Sequence, residues 1–137
     1  MENIWKERNI DLWSLNHLIF GCTLAILMRQ IGIDFSIAIF LAIIIFLVWE
    51  IIELYTKVSE TIINRFSDVI FETLGFIVFY KIIFSQTIYL LIIISFCLLE
   101  ISGYYSKIKD GEKDKLNYLY IFIVILYSIF NTILLLK

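Results

Sequence analysis

The sequence predicts an all-α integral membrane protein, a bundle of five transmembrane helices in a single membrane domain over residues 1–137. Three observations lead there. Hydrophobic residues make up 61% of the 137, against the roughly 45–50% usual in soluble domains. The mean hydropathy is +0.94. The apolar residues also come in long blocks rather than in amphipathic or alternating patterns, as membrane spans do. Proline is absent, so nothing forces a kink in any helix.

The first span is expected at about 12–28, with Asp11 as N-cap and Arg29 closing it. The second covers about 35–54, where Asp34 and Ser36 offer caps. The third, about 67–84, and the fourth, about 87–103, form a hairpin joined by Ser85 and Gln86. The fifth covers about 116–136. Residues 104–115, with Lys-Asp-Gly-Glu-Lys-Asp-Lys at their centre, read as an aqueous loop. Between spans two and three, Val58, Ile62, Ile63 and Phe66 can share one helical face opposite Lys57, Glu60, Thr61 and Asn64. That pattern fits either a short interfacial helix or a continuation of the flanking spans.

Charge sets the expected orientation. One side carries Lys6, Arg8, Lys57, Arg65, Lys107, Lys109, Lys113 and Lys115, and the other only Arg29, Lys81 and Lys137. The excess of Lys and Arg puts the N-terminus in the cytoplasm and the C-terminus outside. No small-residue cleavage site follows the first apolar run, so that span is expected to stay in place. A net charge of −2 without a long basic tract speaks against a nucleic-acid partner. Cys22 and Cys97 lie inside apolar blocks with no metal or redox spacing and read as packing residues. Trp5, Trp13, Tyr104, Tyr105, Tyr118 and Tyr120 fall where an aromatic belt would anchor the helices. Glu100 reads as an interfacial acid, and Glu60 and Asn64 as solvated faces.

Four acids resist this bland account. Glu50 and Glu53 close the second span, and Asp68 and Glu72 open the third. An ionised group at mid-membrane costs roughly 2.5–3.5 kcal/mol on insertion scales, less near the interface. At 1.5 Å per residue, Glu50 lies roughly 6 Å inward from Leu54, and Glu72 and His17 each about 7 Å inward from the starts of their spans. Three helices thus bring ionisable groups to one depth, with Glu53 and Asp68 shallower. Glu50 and Glu53 are three apart and Asp68 and Glu72 four apart, so each pair shares a helix face. Gly21 and Gly75 each stand one turn further along, where a glycine lets a neighbouring helix approach, and Gly21 with Ala25 makes a small-xxx-small pair.

Such a pocket fits three chemistries. Glu50, Glu72, Asp68 and His17 could ligate a divalent cation, Mg²⁺ or Mn²⁺ before a softer transition metal. A carboxylate could instead work with His17 as an acid–base pair, which makes His17, Glu50, Glu72 and Asp68 the catalytic candidates. Lys57 and Arg65 could also neutralise the acids in a purely structural network. No tight motif such as HExxH fixes a reaction.

The same residues resemble VanZ-like small membrane proteins over about residues 11–80. The resemblance rests on Asp11, His17 and Gly21, on Glu50 and Glu53, and on Arg65-x-x-Asp68-x-x-x-Glu72-x-x-Gly75. That family usually has asparagine where Glu72 stands and often glutamine soon after the glutamate, so this site is the more acidic. The resemblance implies a helical envelope protein, linked in one branch to lower sensitivity to glycopeptide antibiotics, with His17, Glu50 or Glu53, Arg65, Asp68 and Glu72 carried over. The expected function is binding or processing of an amphiphile, a lipid phosphate or lipid-linked precursor, in a pocket facing the cytoplasm. Arg65, with Glu53 and Lys57 beside it, would meet the substrate, because a guanidinium pairs bidentately with phosphate. The rival expectations are a small oligomeric ion or proton transporter, whose polar seam would continue across the membrane, and a non-enzymatic assembly partner.

Overall fold

In a computed structural model, which describes residues 12–55, 61–109 and 115–137, the chain forms five α-helices. They are α1 (Leu12–Gln30), α2 (Phe35–Tyr55), α3 (Ile62–Lys81), α4 (Gln86–Lys109) and α5 (Lys115–Leu135). Four are long and apolar enough to cross a membrane: α1, α2, Gln86–Ser106 of α4 and Tyr118–Leu135 of α5. α3 has the length, at 20 residues, but Arg65, Asp68 and Glu72 interrupt its apolar surface, so the expected five spans meet four helices of this kind.

The boundaries follow capping chemistry. α1 ends in a Schellman turn: Ile33 N–H donates to Met28 O and Gly32 N–H to Arg29 O, each at 3.1 Å, with Gly32 at φ +76°. Asp34 then caps α2, its carboxylate accepting from Ser36 N–H at 2.9 Å. Thr61 caps α3 by accepting from Asn64 N–H at 3.1 Å. Residues 62–66 therefore belong to α3, which starts five positions before the expected Ser67 and ends at Lys81 rather than 84. The central part of the expected interfacial helix, residues 56–60 with Lys57, lies outside the described residues, as do Asp11 and Trp5. α4 starts after Ser85, whose carbonyl accepts from Tyr89 N–H, and continues to Lys109. The first half of the expected aqueous loop is thus helical, because no helix breaker stands before Gly111.

The chain divides into two compact units, 1–83 and 84–137. In the first, α1 is buried on nearly all sides, from Trp13 to Met28. α3 buries a single stripe against it, and α2 a single stripe chiefly against α3 and less against α1. On α2 the stripe is Ala38, Ala42, Phe46, Glu50 and Glu53, and on α3 it is Asn64, Asp68, Glu72, Gly75 and Phe76. Both stripes are apolar at one end and acidic at the other. Leu24, Ala25, Met28, Ala38, Ala42, Phe46 and Phe76 pack the apolar end. The rest of α2, including Phe40, Ile44, Leu47, Val48 and Ile51, is exposed apolar surface, the composition of a lipid-facing helix. Arg29 donates to Ile82 O at 3.2 Å, Tyr80 donates its hydroxyl to Ile33 O, and Lys81 Nζ lies 3.7 Å above the Phe35 ring. These contacts tie the apolar end shut.

The α1–α3 contact is the most extensive in the chain. Two glycines make it possible. A Cβ added to Gly21 would fall on the Glu72 carbonyl oxygen, and one added to Gly75 on the Leu18 carbonyl oxygen, both well inside van der Waals contact.

The second unit is an antiparallel helical hairpin. Tyr89, Ile93, Phe96, Glu100 and Tyr104 of α4 are buried, as are Val124, Ser128 and Asn131 of α5, at spacings of three and four. Phe96 meets Tyr127 edge-on at 5.8 Å and Tyr104 meets Tyr120 at 4.5 Å. Tyr104 and Tyr120 therefore pack on each other. Glu100 is buried and accepts from the Tyr120 hydroxyl at 3.4 Å, which makes it a residue of the α4–α5 seam.

The glycine crossing gives a direct test. Gly21→Ala and Gly75→Ala must push two backbones apart and should cost about 1–3 kcal/mol or more. Gly32→Ala meets no atom within 4 Å and bears only a left-handed φ, about 1 kcal/mol. Thermal unfolding in detergent should rank the first two variants below the third.

Candidate functional site

The acidic ends of the two stripes converge on α1. His17 Nδ1 lies 2.7 Å from Glu72 Oε1, and both side chains are buried. With Glu72 ionised, Nδ1 is the donor of this bond. Nε2 lies toward Asp68, whose Oδ2 is 3.9 Å away. Such a gap is electrostatic contact, too long for a hydrogen bond. Asp68 is held in place by Asn64, whose side-chain amide donates to Oδ2 at 2.9 Å.

α2 closes the cluster from the other side. Arg65 of α3 reaches the Glu50 main-chain oxygen at 3.3 Å and Glu50 Oε2 at 3.4 Å, and approaches Glu53 Oε2 at 3.9 Å. Trp49 donates its indole N–H to Glu53 Oε1 at 3.1 Å, one turn along the same helix. One ligand atom each from His17, Glu50 and Asp68 lies within 4.8 Å of the others.

Each expected site residue on a described segment, namely His17, Glu50, Glu53, Arg65, Asp68 and Glu72, is therefore in one cluster. Lys57 lies outside the described residues. Asn64 and Trp49 are additions. Asn64 is 2% exposed, which corrects its reading as a solvated residue. The signal was present in the sequence: Asn64, Asp68, Glu72 and Gly75 stand at successive turns of one face. Trp49 and Glu53 are likewise four apart.

Charge does not balance within the cluster. Among the described residues, four carboxylates face one guanidinium and one imidazole. Two oxygens, Glu50 Oε1 and Glu72 Oε2, are buried without a hydrogen-bond partner among the described residues. Buried charge without partners is expensive. Surplus protons or a bound cation would remove that cost.

Comparison with known proteins finds no similarity: no family model, no curated protein and no solved structure matches this chain.

Because Arg65 is half of a partly buried ion pair, its removal should strand Glu50 and Glu53. Arg65→Met should lower stability by on the order of 3 kcal/mol. Glu50→Gln added to that variant should restore part of the loss, and a double-mutant cycle by thermal unfolding in detergent measures the coupling.

Proposed function

We propose that this chain is an envelope membrane protein of the VanZ-like type that binds an amphiphile with an anionic headgroup at the acidic end of α1, α2 and α3. The observation that carries the reading is a cluster of six ionisable side chains, five of them buried, beneath an otherwise apolar exposed surface. Ionisable groups at membrane depth are functional by default because greasy packing would serve stability better. Arg65 supplies a guanidinium at the edge of the cluster for a phosphate, while a bound cation would add positive charge and protons on the carboxylates would remove their negative charge.

The apolar plug favours a one-sided site over a transport path. Beyond Gly21 and Gly75 the interior of this unit is filled mainly by Leu24, Ala25, Phe46 and Phe76; buried Thr23 returns its hydroxyl to Phe20 O, and no charged residue is buried there among the described residues. The inward-facing acids weigh against a role as an assembly partner, which would present them outward.

In this reading α3 is a fifth span, its charges screened by α1 and α2 instead of facing lipid. The N-terminus is then cytoplasmic and the C-terminus outside. Five spans put the termini on opposite sides, whereas four put them on the same side. Protease protection of epitope tags on each end in sealed vesicles should therefore differ; equal protection would remove the fifth span.

Lipid retention tests the amphiphile. Native mass spectrometry of the detergent-purified chain should keep a polyprenyl phosphate or phosphatidic acid in preference to phosphatidylcholine. Arg65→Gln should abolish that preference, and equal retention of all three lipids by the unmodified chain would end the reading.

A further inference from the structure

We propose that His17, Asp68 and Glu50 form a binding site for one divalent transition-metal ion, with Glu72 as the positioning residue that aims the imidazole. The inference deepens the preceding reading by naming the cation that the pocket holds.

The first support is the direction of the imidazole. Glu72 Oε1 lies 2.7 Å from Nδ1; with the proton of a neutral imidazole on Nδ1, the Nε2 lone pair points away from Glu72. A carboxylate behind the ring is the arrangement that orients metal-bound histidines and raises their basicity. The group that Nε2 faces is Asp68 Oδ2, at 3.9 Å. Two atoms at that distance do not hydrogen-bond each other. Bonds of about 2.1 Å from one ion put its neighbouring ligands roughly 3–3.4 Å apart, so both atoms can reach a shared ion after a small inward movement.

The second support is Glu50. Its residue is 7% exposed, and Oε1 has no hydrogen-bond partner among the described residues. Arg65 engages its other oxygen, Oε2. A carboxylate oxygen from Glu50 completes a triad whose ligand atoms all lie within 4.8 Å of one another. Asn64, bonded to Asp68 Oδ2, fixes the second ligand as Glu72 fixes the first.

The donor set selects the metal. One imidazole and two carboxylates suit Mn²⁺, Fe²⁺ or Zn²⁺, while Mg²⁺ prefers oxygen and water. The expectation of Mg²⁺ or Mn²⁺ from the sequence narrows to the second. A dication and Arg65 together would offset three of the four carboxylates, with Glu72 left on the His17 N–H.

Mn²⁺ is the probe. The full chain purified in detergent and stripped with chelator should bind one Mn²⁺ per chain, read from loss of the free-ion EPR signal. Pulsed EPR of the bound ion should carry nitrogen coupling from a single imidazole. Zn²⁺ should compete, and Mg²⁺ should need at least about tenfold more. Glu72→Gln should weaken binding about 10–100-fold with the stoichiometry kept, His17→Gln should remove the nitrogen coupling, and Asp34→Asn should change nothing. Absence of bound Mn²⁺ in the unmodified chain, or bound Mn²⁺ without nitrogen coupling, overturns the site, and neither result depends on a variant folding. Repeating the lipid-retention measurement in chelator separates the two readings. Retained lipid phosphate without Mn²⁺ binding sinks only the metal site; Mn²⁺ binding without lipid preference sinks only the amphiphile.

Discussion

The close crossing of α1 and α3 is the constraint on which the first unit depends. Gly21 lies against the backbone of Glu72, and Gly75 against the backbone of Leu18. Removing two side chains at the crossing lets main chains touch, and that proximity is what brings His17 within hydrogen-bonding reach of Glu72. In lipid there is little hydrophobic gain from helix association, so backbone proximity and polar contacts carry it. The crossing and the ionisable cluster therefore support each other: one supplies the distance, the other the attraction.

α2 completes this pair more loosely. Its contacts with α1 are far fewer than those between α1 and α3, and it buries only one narrow stripe. Yet that stripe delivers Glu50 and Glu53 to the side of the cluster that α1 and α3 leave open, where Arg65 engages both. The alternation of small Ala38 and Ala42 with bulky Phe46 keeps α2 near its partners at the apolar end, where Phe46 meets Phe20 and Phe76 edge-on at 6.0 and 6.5 Å. Packing is thus concentrated at one end and electrostatics at the other.

Much of this arrangement was legible in the sequence. Hydropathy blocks gave the helices, and the expected threading of the first three brought His17, Glu50 and Glu72 together, as the cluster does. The pairing of glycines with the residues one turn before them foretold the crossing. Other features were hidden for physical reasons. α3 begins at Ile62 because Thr61 caps it, a local hydrogen bond that hydropathy does not register. Asn64 looked solvated because it lies among polar neighbours, and only its register with Asp68 and Glu72 betrays it. The seam role of Glu100 was hidden because it depends on Tyr120, a residue of another helix. Which oxygen meets which donor is a matter of side-chain rotamers, and helix spacing alone does not set them.

The uneven hydropathy of the helices bears on how the chain enters a bilayer during synthesis. α3 is the one helix whose charges defeat partitioning into lipid by itself, and α1 carries the histidine that its glutamate needs. Ribosomal order delivers α1 and α2 first, so an acceptor surface exists before the charged helix emerges. In the proposed five-span arrangement, membrane entry of α3 becomes a docking event onto earlier segments rather than an independent insertion. Biogenesis would falter wherever α1 diffused away from the insertion machinery too soon.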